Sequence, residues 1–197
     1  MSAPTDPYVP DHDSWEGLVR LWEELDRPEG CKVEIIGGTV RVAPRVANRH
    51  ALIASVVRRA LCPALPETWG VYQRQSVAVP SCGAMLTPDL LVLDSSVLVE
   101  SATQCYVPAE RAVLVAEITC RSTAAQDRTE KPAAYARAGI PLYLLIDAHA
   151  PGGPTVTLYG EPNQDVYRVL RAGRFGDTFH LPTPFGIVLD TSVFPRP

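Results

Sequence analysis

The chain has 197 residues, 46% of them apolar, and a formal net charge of −4; that is enough for one domain with its own core and too ordinary a mixture for a disordered chain or a coiled coil. No apolar run approaches the roughly 20 residues needed to span a bilayer, and the polar, acidic start lacks the basic and apolar stretches of a secretory signal, so a cytoplasmic protein with no membrane partner is expected. The acidic balance argues against a general electrostatic grip on nucleic acid.

Residues 1–12 read as a loose tail ahead of a single domain over 13–197. In Asp13-Ser14-Trp15-Glu16 an acid follows a capping residue by three positions. Trp15, Leu18, Val19, Trp22 and Leu25 then keep helical spacing until Arg27-Pro28-Glu29-Gly30 ends it. Lys32–Ile36 and Thr39–Val42 flank Gly37-Gly38, which predicts a tight hairpin. Asn48 is placed to cap a second helix whose apolar face is Ile53, Val56, Val57, Ala60 and Leu61, stopped by Pro63. Val71 to Val79 alternates as one strand, with Gln73 and Gln75 on the same face. Two apolar strands follow, one opened by Asp89 and one holding Glu117, separated by a polar connection from Asp94 to Arg111 with room for a short helix.

Asp127 or Thr129 can cap a third helix, in which Pro132 falls in the first turn and Gly139 marks the end. Leu142–Ile146 is apolar throughout, as in a strand buried on both faces, so the stretch from Glu117 to Ile146 reads as a right-handed βαβ unit. Thr155–Tyr159, Val166–Leu170 and Ile187–Leu189 predict an antiparallel extension. The five cysteines are scattered and read as reduced, mostly buried thiols, and the four histidines lack zinc-ligand spacing.

The chemistry concentrates in acids stranded in apolar sequence. A carboxylate on a buried strand costs several kcal/mol unless a positive group compensates it. Strand periodicity puts Glu117 on one face with Val113 and Val115, and Asp89 on one face with Leu91 and Leu93. If the two strands are neighbours, the carboxylates meet at one rim, where a hard dication such as Mg²⁺ is the natural partner and Mn²⁺ can substitute. Lys131 shares a helical face with Ala134, Tyr135 and Ala138, and from the helix start it can lean over the strand ends toward an attacking water or a developing anion. Each residue also has a purely structural alternative: a Pro-Asp turn for Asp89, an internal arginine pair for Glu117, a surface position for Lys131 and an outward hairpin position for Glu34. Two basic groups, Arg41, Arg45, Arg49, Arg58 and Arg59 in an acid-free stretch and Arg121, Arg128, Lys131 and Arg137 further on, read either as solvated faces or as a phosphate track.

In order along the chain, these residues resemble a known family. Lys32-Val33-Glu34-Ile35-Ile36-Gly37-Gly38-Thr39-Val40 is similar to its Y-E-L-I-D-G-E-L-V, and His50 stands at the start of the second helix as it does there. Pro88-Asp89-Leu90 matches a P-D motif, Glu117-Ile118-Thr119-Cys120-Arg121-Ser122-Thr123 is similar to E-V-x-S-P-S-T, and Glu130-Lys131 through Ile140-Pro141 is similar to E-K-x-x-x-Y-x-x-A-G-V-P. The family is the Uma-two family of restriction-endonuclease-like proteins, a branch of the PD-(D/E)XK nuclease superfamily, and the resemblance runs over residues 13 to 194.

The resemblance implies an α/β (α+β) fold, a mixed β-sheet flanked by helices with an N-terminal hairpin. It implies Asp89 and Glu117 as metal carboxylates, with the Ile118 carbonyl as a further ligand. The superfamily's usual lysine position is here Thr119, so Lys131 takes its role, with Glu34 as an accessory acid. His50, Gln75, Arg49 and Arg121 are candidate substrate-binding residues. Cys120-Arg121 departs from the family's S-P, and Pro132 restricts where the helix can begin. The expected activity is Mg²⁺-dependent endonucleolytic hydrolysis of DNA phosphodiester bonds by a homodimer. The alternatives are a catalytically silent binding or scaffold protein and a hydrolase of a small phosphodiester.

Overall fold

The computed structural model describes residues 14–196, so the tail expected over 1–12 and the candidate cap Asp13 lie outside the described residues. Helix α1 (Trp15–Glu24) is capped by Ser14, whose hydroxyl accepts the Gly17 N–H at 3.1 Å. It buries Leu18, Val19 and Trp22. The Trp22 indole donates to the Val33 carbonyl at 2.6 Å, which ties α1 to strand β1 (Lys32–Ile36). Strand β2 (Thr39–Ala43) returns antiparallel across Gly37 and Gly38, with φ of +58° and +71°, the backbone that a two-residue hairpin needs and glycine adopts freely. Helix α2 (Asn48–Leu61) buries Ile53, Ala54, Val57 and Leu61 as its spacing predicts. Asn48 is its first residue rather than its cap: Ala47 holds the extended cap position, where no side-chain bond is made.

The single strand expected over 71–79 is two strands. The backbone turns at Arg74, whose φ of +61° is unfavourable for a residue with a side chain. Strand β3 (Trp69–Tyr72) and strand β4 (Ser76–Val79) therefore join different sheets. Strands β5 (Ala84–Leu86) and β6 (Leu90–Asp94) follow, then helix α3 (Ser96–Glu100) and a strand the sequence did not announce, β7 (Tyr106–Pro108), which runs parallel to β4.

Strand β8 (Ala112–Ile118) leads into helices α4 (Ala124–Arg128) and α5 (Glu130–Arg137), where one helix was expected. Pro132 has no N–H for the carbonyl four residues back, so the α-helical ladder breaks ahead of it. Asp127 consequently lies inside α4, buried, and Thr129 precedes α5 without a side-chain cap bond. Gly139, at φ +74°, follows the end of α5 as expected. Strand β9 (Leu142–Asp147) lies parallel to β8 and is buried throughout. Strands β10 (Thr155–Asn163) and β11 (Val166–Arg174) extend that sheet antiparallel, whereas β12 (Thr178–Leu181), not anticipated, and β13 (Ile187–Asp190) form a hairpin of their own.

The main sheet has the order β11-β10-β9-β8-β6-β3 and the second the order β2-β1-β5-β4-β7. Leu114, Ala116 and Ile118 of β8 face α2, and Val115 faces Tyr135 and Tyr143, so the middle of this strand is covered on both sides. A third cluster joins Trp22 to Ile35 and Met85. Among the described residues no helix is long and apolar enough to cross a membrane. The cysteines are unpaired as expected but not buried: Cys62 and Cys105 are exposed and Cys31, Cys82 and Cys120 half-buried, because they fall at element ends and in connections. Trp22→Phe, which leaves the buried Val33 carbonyl without its indole partner, is expected to cost about 1–3 kcal/mol, read as a lower urea midpoint at unchanged slope.

Candidate active site

Strands β6 and β8 are antiparallel neighbours with Leu90 opposite Ala116 and Leu91 opposite Val115. The start of one therefore meets the end of the other, which brings Asp89 and Glu117 to a single rim. Strand β1 of the second sheet reaches this rim with Lys32 and Glu34, two residues apart and so on one face. Helices α4 and α5 add Asp127, Lys131 and Tyr135. The two-stage break before Pro132 leaves Asp127 and Lys131 one helical turn apart and in contact.

Lys131 is 1% exposed. Its ammonium lies 3.0 Å from Glu117 Oε1, 3.1 Å from Glu34 Oε1 and 3.0 Å from Asp127 Oδ1. Burial acts to lower its pKa, but the three carboxylates outweigh it and hold the pKa well above the usual lysine range. Tyr135 donates its hydroxyl to Glu117 Oε1 at 2.7 Å, the Thr87 N–H donates to Glu34 Oε1 at 2.8 Å, and Thr123 donates its hydroxyl to Asp127 Oδ2 at 2.6 Å.

Asp89 has different partners. Its Oδ2 accepts the Ile118 N–H at 2.8 Å and faces His50 Nε2 at 2.8 Å, while Oδ1 is ion-paired with Lys32. Burial pushes the Asp89 pKa up, but Lys32 and His50 outweigh it and hold the carboxyl below the usual range. The Lys32 ammonium also lies 3.8 Å from Glu117 Oε2. Glu117 goes the other way: burial, reinforced by Asp127 and Asp89, overcomes Lys131 and Lys32 and pushes its pKa up to about 8. Asp127 is likewise raised, by burial first.

Asp89, Glu117, Lys131 and Glu34 thus converge, and His50 joins them through Asp89. The sequence had left an internal arginine open as the partner of Glu117; the partners are the two lysines. Gln75 donates to the Ser76 carbonyl at 3.3 Å, and its neighbours Gln73 and Arg74 line the hollow beside Asp89 in its place. Among the described residues Arg49 and Arg121 form no ion pair with these carboxylates; both act on His149, whose pKa is lowered by burial and by these two arginines. Lys32, Asp127 and Tyr135 were not marked as site residues. Two signals were available, the two-residue spacing of Lys32 from Glu34 and the i,i+4 spacings that put Asp127 and Tyr135 on the face of Lys131.

Among the described residues, no three His, Cys, Asp or Glu side chains converge as a metal site. The donor set is a pair, Asp89 Oδ1 and Glu117 Oε2, both turned to the same positive charge. Continuing the register by two residues sets Ile118 opposite Pro88, which has no N–H to offer the Ile118 carbonyl. Two carboxylates, one carbonyl and no soft ligand suit Mg²⁺, which is held by few protein oxygens with water and substrate phosphate completing its shell. Four carboxylates stand against two lysines in this cluster, and Asp127 and Asp89 add to burial, the larger cause, in raising the Glu117 pKa. The residues present fit a hard dication.

A family model described as "Putative restriction endonuclease", Uma2, matches residues 16–192. The chain belongs to the Uma2 family. No curated protein matches the sequence. A crystal structure described as a putative nuclease belonging to DUF820, from Anabaena variabilis, shares the fold, with a TM-score of 0.61 over 88% of this chain and 90% of that one at 17% identity. The mixed sheets flanked by helices are those of a restriction-endonuclease-like fold. In this Uma2 chain Thr119 donates to Asp147 Oδ1 at 2.9 Å, and Arg128 binds the same aspartate at 2.7 Å.

The raised Glu117 pKa has a consequence for stability. Between pH 4.5, the ordinary value, and about 8, the folded protein holds a proton that the unfolded chain has released. Stability of the metal-free protein through this group therefore falls as pH rises across that window. Urea unfolding at the two ends of the window should show this slope in the wild type and its loss in Glu117→Gln; equal slopes in both proteins would contradict it.

Proposed function

We propose that this chain is a Mg²⁺-dependent nuclease that hydrolyses DNA phosphodiester bonds. The observation that carries the reading is the convergence of Asp89 and Glu117 on one cation position, in a member of the Uma2 family. Mg²⁺ bound there by Asp89, Glu117 and the Ile118 carbonyl would lower the pKa of a bound water and polarise a phosphoryl oxygen. The protein's own groups set the geometry. The Ile118 N–H and His50 orient Asp89. Lys131 and Tyr135 grip Glu117 through Oε1, which leaves Oε2 turned outward. Lys131 is enclosed by carboxylates, so it serves as a positioning residue for Glu117 and Glu34. Arg49 and Arg121, which flank His149, would meet flanking phosphates.

A hollow of about 170 Å³ beside Asp89, walled by His50, Gln73, Arg74 and Pro88, gives the substrate its approach. Its size also suits a small phosphodiester, which is the second reading. Plasmid and oligonucleotide should be cut in Mg²⁺ or Mn²⁺ and not in excess chelator, and Asp89→Asn should reduce cutting to background. Cleavage of a chromogenic phosphodiester with DNA left intact would favour the second reading, and cutting that survives Asp89→Asn would sink the site assignment. For DNA binding, the plot of log affinity against log salt should be steep in the wild type. In Arg49→Ala and in Arg121→Ala it should be shallower by about 0.9 for each phosphate that the arginine had neutralised. An unchanged slope would remove both arginines from the interface.

A further inference from the structure

Lys32 stands where the two outer carboxylate oxygens converge, in contact with Asp89 Oδ1 and 3.8 Å from Glu117 Oε2. Unlike Lys131 it is not sealed in: its side chain is 17% exposed, against 1% for Lys131. It lines the hollow of about 170 Å³ beside Asp89 and a second one of about 260 Å³ on its other flank, and Gly30 and Arg74 line both as well. Arg74 forms no ion pair among the described residues and is presented there by a backbone at φ +61°. A cationic side chain thus sits between two acids with open space behind it and a second cation waiting in that space. An ammonium and a dication cannot share the position between two carboxylates, since like charges at contact repel strongly in a site this dry.

We propose that Lys32 is the site's built-in counter-cation: it keeps Asp89 and Glu117 together while no dication is present, yields its place when one binds, and turns into the adjoining hollow beside Arg74 to meet the substrate phosphate. The proposal rests on the metal-dependent reading above and adds to it a coupling between metal and substrate. In the metal-free state Lys32 pairs with Asp89 and bridges it to the Glu117 carboxyl. In the loaded state the same charge, moved by the flexibility of one lysine stem, neutralises substrate.

The test is Mn²⁺ titration of the full chain by electron paramagnetic resonance, for wild type, Lys32→Met and Lys32→Arg. Lys32→Met is expected to bind Mn²⁺ about tenfold more tightly than wild type, since nothing has to leave. Lys32→Arg, which keeps the charge, is expected to gain nothing. In parallel, the anisotropy of a labelled oligonucleotide in saturating Ca²⁺ should show Lys32→Met binding several-fold more weakly than wild type. Unchanged or weaker Mn²⁺ binding by Lys32→Met, or a tenfold gain by Lys32→Arg, overturns the counter-cation while leaving the metal site standing. Tighter Mn²⁺ binding with unchanged oligonucleotide affinity overturns the coupling to substrate. No Mn²⁺ binding by any of the three proteins overturns the metal-dependent reading and this proposal together.

Discussion

An ammonium group 1% exposed to solvent is tolerable only because three carboxylates close on it, and those carboxylates come from three separate elements. Glu34 arrives on β1, Glu117 on β8 and Asp127 on α4, while Lys131 itself stands on α5. The ion cluster therefore reports that the second sheet, the main sheet and the crossover helices have docked in one arrangement. Removing Lys131 leaves its carboxylates uncompensated where water cannot reach them, and that is far more costly than the net worth of the pairs. The arrangement stabilises one geometry more than it stabilises the fold in general.

That geometry has an inner and an outer side. Inside, Lys131 and Tyr135 occupy Oε1 of Glu117, so the carboxylate cannot rotate. Outside, Oε2 and the Asp89 carboxylate share one position next to an open hollow. The two lysines divide the work by exposure: one is walled in and holds, the other borders space and can move. The opposite pKa shifts of Asp89 and Glu117 follow from the same division. Asp89 has Lys32, His50 and a backbone N–H directed at it, whereas Glu117 is buried more completely and feels two neighbouring acids.

Much of this was legible in the sequence. Alternation put Asp89 on the face of Leu91 and Glu117 on that of Val115, Gly37-Gly38 marked the hairpin, and the apolar run at Leu142–Ile146 marked the buried parallel strand. The ordered motifs named the Uma2 family over nearly the whole chain. The misreadings share a cause. The segment 71–79 has a plausible alternating pattern, but a positive φ at Arg74, invisible in the pattern, sends its halves to different sheets. Helix α4 was missed because its five residues, ahead of the helix that Asp127 or Thr129 was expected to cap, are too few for a helical period to show. Strand β7, three residues long, carries too few positions for any period to show.

By itself the sequence determined that acids inside apolar strands need partners, by solvation energy alone; it left Lys131 open between surface and site. It also determined periodicity, and hence which side chains share a face. It could not determine pairing, because partner choice depends on which strands become neighbours and in what register, and those are non-local choices settled by packing. Only the tertiary structure decided that Glu117 meets two lysines rather than an arginine, that Asp127 is a buried counter-ion rather than a cap, and that Lys32 stands between the two outer carboxylates.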